Sequence, residues 1–275
     1  MLPKLIALDL DDTVLDLNGR LSPGNRQALQ KAAQQGSQVV VATGRPLSTV
    51  PQEILEFSWI RYAITGNGAA IYDLQTKTLL LRRTIPGKAV EQILELTQNE
   101  PIAYEAFVEG LAYAQADYVR DPSPYLAAPG HIAYVQATRK PVEDFHAFVN
   151  LHRDQLDSLD LMVRDAPSRE RMMALLETVA GIYVTSSDPA MVEISHQDCG
   201  KHRALAFLAD RLGILQEETA AFGNADNDAE MLAWAGTGIA VQNASETCRQ
   251  AADHITGFSW EDGVAKACHT VFGID

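Results

Sequence analysis

The sequence has few basic residues and few cysteines. It carries 22 lysines and arginines against 36 aspartates and glutamates among 275 residues, a formal net charge of −14 at pH 7. This excess of acids repels nucleic acid and anionic membrane surfaces, so neither is expected as a partner. The three cysteines are widely separated, which argues against a disulfide framework or a zinc cluster.

The sequence also lacks a long apolar run near its start, where Asp9 follows only a few apolar residues. That run is too short for a signal peptide or a spanning helix, so we expect a cytoplasmic protein. Charged residues make up 21% of the chain and hydrophobic residues 47%, a balance typical of a chain that buries a core. No feature of the sequence predicts an oligomeric state.

Both ends of the chain predict parts of one α/β core. Apolar runs of strand length alternate with helical stretches over residues 5–8, 23–35 and 38–42, and again over 220–223, 228–234 and 237–241. A continuous β-branched run such as 38–42 is typical of a strand covered on both faces. The alternation predicts a Rossmann-like, doubly wound parallel sheet.

The middle of the chain has a different pattern. It mixes helical stretches with an alternating hairpin pattern: residues 87–98, 142–156 and 104–113. This mixture predicts an α+β domain. We therefore expect an inserted cap over residues 85–187 and a core formed by 1–84 and 188–275. Ligands of doubly wound sheets bind at the carboxyl ends of the strands.

Two aspartates, Asp9 and Asp11, directly follow the first predicted strand. Alternate residues of a strand lean to the same side, so both carboxylates are expected at one crevice. Together with Asp12 they repel one another unless a cation offsets them, and a hard cation such as Mg²⁺ prefers oxygen ligands of this kind. The alternative is a turn cluster in which Asp12 or Thr13 opens the turn.

Thr43, Gly44 and Arg45 follow the second predicted strand. A hydroxyl and backbone N–H groups at that place suit a phosphate oxygen, although a threonine there is also a common N-cap. Asn67 follows the third strand. Its segment fails as a dinucleotide-binding fingerprint because Ile71 stands where glycine is needed.

Two further candidate sites lie late in the chain. Lys201 opens a predicted helix, where its charge and free N–H groups form an anion site. A solvated lysine is the alternative, and a P-loop is excluded because His202 stands where serine or threonine is needed. After a later strand come Asn224, Asn227 and Asp228, which are either oxygen ligands or a turn with an N-cap.

In this order, these residues resemble the motifs of the haloacid dehalogenase-like hydrolase superfamily, and within it the Cof-type sugar-phosphate phosphatases. The first motif is Asp9–Thr13, the second Thr43–Arg45, the third Lys201 and the fourth Gly223–Asp228. The resemblance covers nearly the whole chain, and it includes a large α/β cap inserted after the second motif.

The resemblance implies a role for each matching residue. Asp9 is the nucleophile that forms an aspartyl-phosphate, and Asp11 protonates the leaving oxygen and then activates water. The cofactor is Mg²⁺. The implied phosphate-binding residues are Thr43, Gly44, Lys201 and Asn227, the metal ligands Asp9, Asp11, Asn224 and Asp228, and the substrate-binding residues Arg45 and Asn67.

One residue departs from the family's pattern. The fourth motif usually begins Gly-Asp, whereas Asn224 follows Gly223 here and offers a neutral oxygen. Weaker metal binding is therefore expected, unless Asp226 compensates. Asp228 occupies the family's second acidic position and can act directly or through water.

The sequence thus predicts an Mg²⁺-dependent phosphatase that hydrolyses a small phosphorylated metabolite, such as a sugar phosphate. A phosphomutase on the same scaffold is the nearest enzyme alternative. A catalytically weak phosphate-binding protein is the alternative outside the enzymes, and only Asn224 favours it. An oxidoreductase is disfavoured by the failed glycine pattern, and a dehalogenase has no use for an acid at Asp11.

Overall fold

A computed structural model of the protein describes residues 2–125 and 129–274. The strands in these residues are β1 Leu5–Leu8, β2 Gln38–Ala42, β3 Ile60–Thr65, β4 Ala70–Asp73, β5 Thr78–Arg82, β6 Ala103–Val108, β7 Leu111–Gln115, β8 Lys140–Val142, β9 Leu156–Met162, β10 Ile182–Thr185, β11 Met191–His196, β12 Thr219–Gly223, β13 Thr237–Ala240 and β14 His254–Ile255. The helices are α1 Pro23–Gln34, α2 Gln52–Glu56, α3 Gly87–Thr97, α4 Ala116–Arg120, α5 Pro129–Thr138, α6 Phe145–Leu151, α7 Ala166–Leu176, α8 Lys201–Leu212, α9 Ala229–Trp234, α10 Glu246–Ala251 and α11 Gly263–Phe272.

The chain divides into two compact units. The core unit comprises Met1–Gly44, Val50–Leu81 and Gly200–Asp275, and the inserted unit comprises Arg45–Thr49 and Arg82–Cys199. Both ends of the chain therefore build one unit, as the repeated βαβ pattern predicts.

The core unit contains a sheet with strand order β14-β13-β12-β1-β2-β3-β4-β5. The strands from β14 to β3 pair in parallel, whereas β4 pairs antiparallel to β3. Every residue of β1 is buried because β2 and β12 flank it and side chains cover both of its faces. The α/β fold with a doubly wound parallel sheet is thus confirmed.

Helix α1 shows why the local sequence folds as predicted. The Ser22 hydroxyl caps its first turn by accepting the N–H of Asn25, and Pro23 occupies the first helical position. After the helix, Gly36 adopts a φ of 105°, a value that favours glycine. The chain can therefore turn directly into β2.

The inserted unit contains a second sheet, with strand order β10-β11-β9-β6-β7-β8. Its β6–β7 hairpin turns at Glu109 and Gly110, both with positive φ, as the alternating pattern predicts. One face of the sheet packs on helices α3, α6 and α7 through apolar side chains such as Ile93, Leu161 and Met172. The unit therefore has its own hydrophobic core.

A row of acids crosses the opposite face of this sheet. Glu105 on β6 pairs in register with Asp160 on β9, which in turn pairs with Glu193 on β11, and all three are buried. Arg139 donates two hydrogen bonds, of 2.8 and 2.9 Å, to the carboxylate of Glu105. A planar guanidinium bonded in this two-pronged way gives the strong form of an ion pair.

The division between the units differs from the sequence-based boundaries of 84/85 and 187/188. It lies at 81/82 and 199/200, and the short stretch Arg45–Thr49 also belongs to the inserted unit. The second boundary lies later than expected because β11 pairs antiparallel with both β9 and β10 in the inserted sheet. A strand with an apolar sequence fits either sheet, and its sequence alone does not select the partner.

None of the helices in residues 2–125 and 129–274 is long and apolar enough to cross a bilayer.

Candidate active site

The predicted motifs of the core unit lie at the carboxyl ends of neighbouring strands. Asp9 follows β1 and Thr43 follows β2, and their amides continue the sheet pairing by donating to the carbonyls of Phe222 and Ile64. Asn224 follows β12 on the other side of β1. Parallel strands therefore bring together residues from distant parts of the sequence at one edge of the sheet.

Lys201 lies at the centre of this edge. It is the first residue of α8, its side chain is 1% exposed, and its Nζ lies 2.7 Å from Oδ1 of Asp9 and 2.6 Å from Oδ1 of Asp228. Burial alone disfavours an ammonium group. Here the charges and hydrogen bonds of the two carboxylates outweigh burial and raise the pKa of Lys201 above its usual range. The lysine is therefore a fixed buried cation.

Neighbouring groups shift the pKa of Asp9 in opposite directions. Burial and the charge of Asp228 raise its pKa, Lys201 lowers it, and the result is a pKa of about 7. One cation thus serves two buried carboxylates, which leaves an excess of negative charge at the site. An additional cation close to Asp9 is expected to favour its ionised form.

Asp228 organises the loop after β12. Its Oδ2 accepts the backbone N–H groups of Asn224 and Ala225 at 2.9 and 3.1 Å, while its Oδ1 accepts Lys201. The side chain packs so closely on Gly223 that a Cβ there would lie 2.4 Å from the Asp228 Cβ. Both carboxylate oxygens are thus engaged within the protein, and glycine is required at 223.

Asn224, the residue that departs from the family pattern, lies beside the first motif. Its Oδ1 accepts the hydroxyl of the buried Thr13 at 3.0 Å, and its carbonyl accepts the N–H of Ser245 at 2.7 Å. Ser245 also donates to Asp226 and caps α10. The amide oxygen of Asn224 is therefore held next to the Asp9 segment, and Asp226 is engaged with α10.

The oxygen atoms at this edge suit a hard cation. The described residues contain no group of three or more His, Cys, Asp or Glu side chains arranged to hold a metal. The carboxylate of Asp9 accepts Lys201 through Oδ1, and the amide oxygen of Asn224 and the backbone carbonyl of Asp11 are oxygen donors of the type that Mg²⁺ prefers. An all-oxygen donor set with a single carboxylate fits Mg²⁺, which keeps several of its waters.

Asp11 lies in a wide turn formed by Leu10–Val14. It is exposed, unlike Asp9, and Asp12 next to it takes a φ of 56° while its carbonyl accepts the Asn243 side chain at 2.8 Å. The two aspartates of the first motif therefore occupy contrasting environments, one enclosed and one open to water.

Thr43, Asn67 and Asn227 lie in the core unit and are all buried. The Asn67 N–H donates to the Thr43 carbonyl at 3.1 Å, and Asn227 Nδ2 donates to Asn67 Oδ1 at 3.0 Å. The structure thus brings the third-strand loop against both the second and the fourth motif. No local sequence pattern predicts these contacts, because the three residues lie in separate loops that are far apart in the chain.

Arg45 is placed differently from Thr43 and Gly44. It belongs to the inserted unit, where it donates to the Thr49 carbonyl at 2.6 Å and lies over the ring of Tyr134 at 4.5 Å. Arg139 lies over the same ring at 4.7 Å. The second motif therefore spans the division between the units, because Thr43 and Gly44 belong to the core unit and Arg45 to the inserted unit.

The chain is similar in sequence to known proteins over nearly its whole length. The model of the haloacid dehalogenase-like hydrolases matches residues 6–268. Phosphatase YwpJ of Bacillus subtilis is 31% identical over 279 residues, covering 95% of this chain and 97% of that protein. The 5-amino-6-(5-phospho-D-ribitylamino)uracil phosphatase YcsE of the same organism is 27% identical, covering 96% of this chain and 94% of that protein.

A solved structure of a haloacid dehalogenase-like hydrolase from B. subtilis superposes with a TM-score of 0.84 at 28% identity, covering 98% of this chain and 99% of that one. The similarity in sequence and in fold thus extends over both units of the chain.

Proposed function

The chain is a phosphoric monoester hydrolase of the haloacid dehalogenase-like hydrolase family, and from this premise we propose that it hydrolyses a small phosphorylated metabolite through an aspartyl-phosphate on Asp9. The observation that carries the proposal is the buried contact of 2.7 Å between Asp9 and Lys201 at the end of β1. It places a carboxylate and a fixed cation together, as attack on a phosphate dianion requires.

The proposed reaction has two steps. An Asp9 carboxylate oxygen attacks phosphorus, the bond to the ester oxygen breaks, and Asp11 gives that oxygen its proton. Water then attacks the phosphorus of the aspartyl-phosphate, Asp11 takes a proton from the water, and inorganic phosphate leaves with the Asp9 carboxylate restored. Asp11 is exposed, so a water molecule can reach it for the second step.

Lys201 is proposed to stabilise the charge of the transferred phosphoryl group. An ammonium group has three N–H donors, and the described residues accept two of them through Asp9 and Asp228. The third is available for a phosphate oxygen. The hydroxyl of Thr43, the backbone at Gly44 and the side chain of Asn227 are proposed to complete the phosphate site, since each lies on a loop at the same edge of the sheet.

Phosphatases of this family generally use Mg²⁺, and the oxygen atoms described above fit that ion. We propose Asp9, the Asp11 carbonyl and Asn224 as the residues that hold it, with Asp228 acting through the loop that it organises. When bound, Mg²⁺ neutralises phosphate charge and so lets a carboxylate approach the phosphorus. Asn224 brings no charge to this set, so the affinity for the ion is proposed to be lower than with an aspartate.

The substrate is proposed to be a small phosphorylated metabolite, because the name of the relative YcsE specifies a phosphorylated ribitylaminouracil. The inserted unit is proposed to act as the cap that selects the substrate, with Arg45 as a substrate-binding residue. A cytoplasmic location remains a prediction from the sequence.

Hydrolysis of 4-nitrophenyl phosphate tests the proposal. Wild-type protein is assayed with Mg²⁺ and with a chelator, beside Asp9→Asn and the control Asp210→Asn, which changes an exposed aspartate on α8. We expect activity that requires Mg²⁺, survives in the control and is abolished in Asp9→Asn. Activity that Asp9→Asn retains would overturn the role of Asp9. Interconversion of sugar phosphates that depends on a bisphosphate would identify a phosphomutase.

A panel of phosphorylated metabolites, compared by kcat/KM, then narrows the substrate class. Discrimination between substrates is a difference in transition-state binding. The substrate with the highest kcat/KM identifies the class of phosphate ester that the protein prefers.

A further inference from the structure

Asn67 has an unusual backbone for a buried side chain. It is 3% exposed and adopts a φ of 51°, between Gly66 at 56° and Gly68 at 93°. Asparagine tolerates the left-handed region better than other non-glycine residues. A run of three such residues turns the chain sharply after β3 and presents both the backbone and the side chain of Asn67 to its neighbours.

Three separate segments bond to Asn67. Its N–H donates to the Thr43 carbonyl at 3.1 Å, and its own carbonyl accepts the Gly200 N–H at 2.8 Å. Its side-chain oxygen accepts Nδ2 of Asn227 at 3.0 Å. These partners belong to the second motif, to the residue before Lys201, and to the residue before Asp228.

The contact with α8 is made by backbone on backbone. A Cβ on Gly68 would lie 2.5 Å from the carbonyl oxygen of Gly200, so the loop and the start of the helix touch with no side chain between them. Gly200 has a φ of 119°, which few other residues adopt. The direction in which Lys201 enters the helix is therefore fixed by the Asn67 loop.

The bond to Asn227 also orients that side chain. With Nδ2 directed at Asn67, the buried Oδ1 of Asn227 has no hydrogen-bond partner in residues 2–125 and 129–274. A buried acceptor of this kind is costly unless a donor meets it in some state of the protein. Asn67 thus controls which polar atom of Asn227 is presented at this edge of the sheet.

We infer that Asn67 is a positioning residue for the phosphoryl-transfer site: it fixes Lys201 through the Gly200 amide and Asn227 through its carboxamide, and its side chain does not contact the substrate. This inference rests on the proposed function. A positioning role affects the rate of the chemical step equally for substrates with different alcohol parts. A substrate-binding role would instead affect these substrates differently.

The variant Asn67→Gly tests the inference, because glycine keeps the left-handed backbone and removes only the carboxamide. We expect kcat to fall by about tenfold to a hundredfold, the scale of small misplacements of catalytic groups. KM is expected to change by less than about twofold, since ground-state binding is unaffected. The fold loss in kcat should be the same for 4-nitrophenyl phosphate and for the best sugar phosphate of the panel.

A double-mutant cycle tests the route through Asn227. If Asn67 acts through that side chain, Asn67→Gly combined with Asn227→Ala should lower kcat no further than the more damaging single change. The matched control is Thr219→Val, which removes a buried hydroxyl that donates to Gln216 at the opposite end of β12. It should lower the melting temperature and leave kcat unchanged.

The kinetic results distinguish a positioning role of Asn67 from a substrate contact. A rise in KM with unchanged kcat, or a loss that differs between the two substrates, would overturn the inference and make Asn67 a substrate contact. Unchanged kinetics or additive effects in the cycle would also overturn it. Failure of the proposed function has a separate signature, namely wild-type protein that does not hydrolyse either substrate.

Discussion

The ammonium nitrogen of Lys201 lies 2.7 Å from Oδ1 of Asp9, although 192 positions separate the two residues in the chain. The contact joins the first strand of the core sheet to the first residue of α8. Both segments of the inserted unit lie between these two positions in the sequence, and the chain returns to the core unit just before Lys201. Residues from the N-terminal and C-terminal parts of the core unit therefore together form the candidate active site.

Lys201→Met tests this dependence. The variant leaves Asp9 and Asp228 buried without their cation, and removal of one partner of a buried ion pair costs about 3–5 kcal/mol of unfolding free energy. We expect kcat to fall by at least about a hundredfold, because a charge that stabilises the transition state is lost. Both quantities are measured by urea unfolding and steady-state kinetics, with the exposed Lys88→Met as the control. Activity near the wild-type level would remove Lys201 from the site.

Asn224→Asp tests the proposed metal ligand. A carboxylate in place of the amide adds a charge to the donor set, so the Mg²⁺ concentration for half-maximal activity should fall by about tenfold or more, since one close charge is worth over a kilocalorie per mole. Asn18→Asp adds the same charge in an exposed loop and should leave this concentration unchanged. No shift, or a loss of activity, would count against Asn224 as a ligand.

The buried ion pair of the inserted unit predicts a difference in stability. The side chains of Glu105 and Arg139 are only 1% and 9% exposed, so Glu105→Gln should lower the free energy of unfolding by about 3 kcal/mol. Glu143→Gln removes the partner of Arg120 in a pair whose side chains are 82% and 60% exposed, and it should cost less than about 1 kcal/mol. Equal losses in urea unfolding would show that burial of the pair does not matter.

Asp160 gives the inserted unit a dependence on pH. Burial, and then the charge of Glu193, raise its pKa well above the usual value. Between the unfolded and the folded pKa the native state keeps a proton that the unfolded chain has lost. The stability that protonated Asp160 contributes is therefore fully present below about pH 4 and is lost as pH rises towards the folded-state pKa. In Asp160→Asn the side chain is uncharged at every pH and keeps an oxygen that can accept the Ser158 hydroxyl. This variant therefore does not lose stability by ionisation at position 160.

Urea unfolding of wild type and Asp160→Asn across this pH range checks the sign. The variant should gain stability relative to wild type as pH rises from about 4 to neutrality. A difference between the two proteins that stays constant with pH would show that Asp160 titrates normally.

The order of the motifs predicted the core of the site. Each strand of the parallel sheet ends at the same edge, so residues such as Asp9, Thr43 and Asn224 could be placed there from strand patterns alone. The helix over 23–35 and the β6–β7 hairpin were predicted for the same kind of reason, because caps and turn residues are local signals. The family membership that the motifs predicted is confirmed by the match over residues 6–268.

Other features depend on contacts that no local pattern encodes. The helical stretch predicted over 142–156 is instead the end of β8, the short helix α6 and the start of β9, because apolar spacing in a short run fits a strand as well as a helix. The pairing of β11 with β9 likewise depends on tertiary contacts. Two of the Asn67 contacts are made by backbone groups and the third by its carboxamide, and apart from the two flanking glycines no sequence signal indicates them.

Covalent trapping tests whether Asp9 is the nucleophile. Asp11→Asn protein is mixed with 4-nitrophenyl phosphate and Mg²⁺, quenched in acid, digested and examined by mass spectrometry. The leaving group needs no proton, so the first step proceeds while water activation is lost, and the intermediate should accumulate. Asp9→Asn serves as the control that forms none. We expect one phosphoryl group on the peptide that contains Asp9. Phosphate release with no labelled peptide, or a label on another residue, would contradict the proposed role of Asp9.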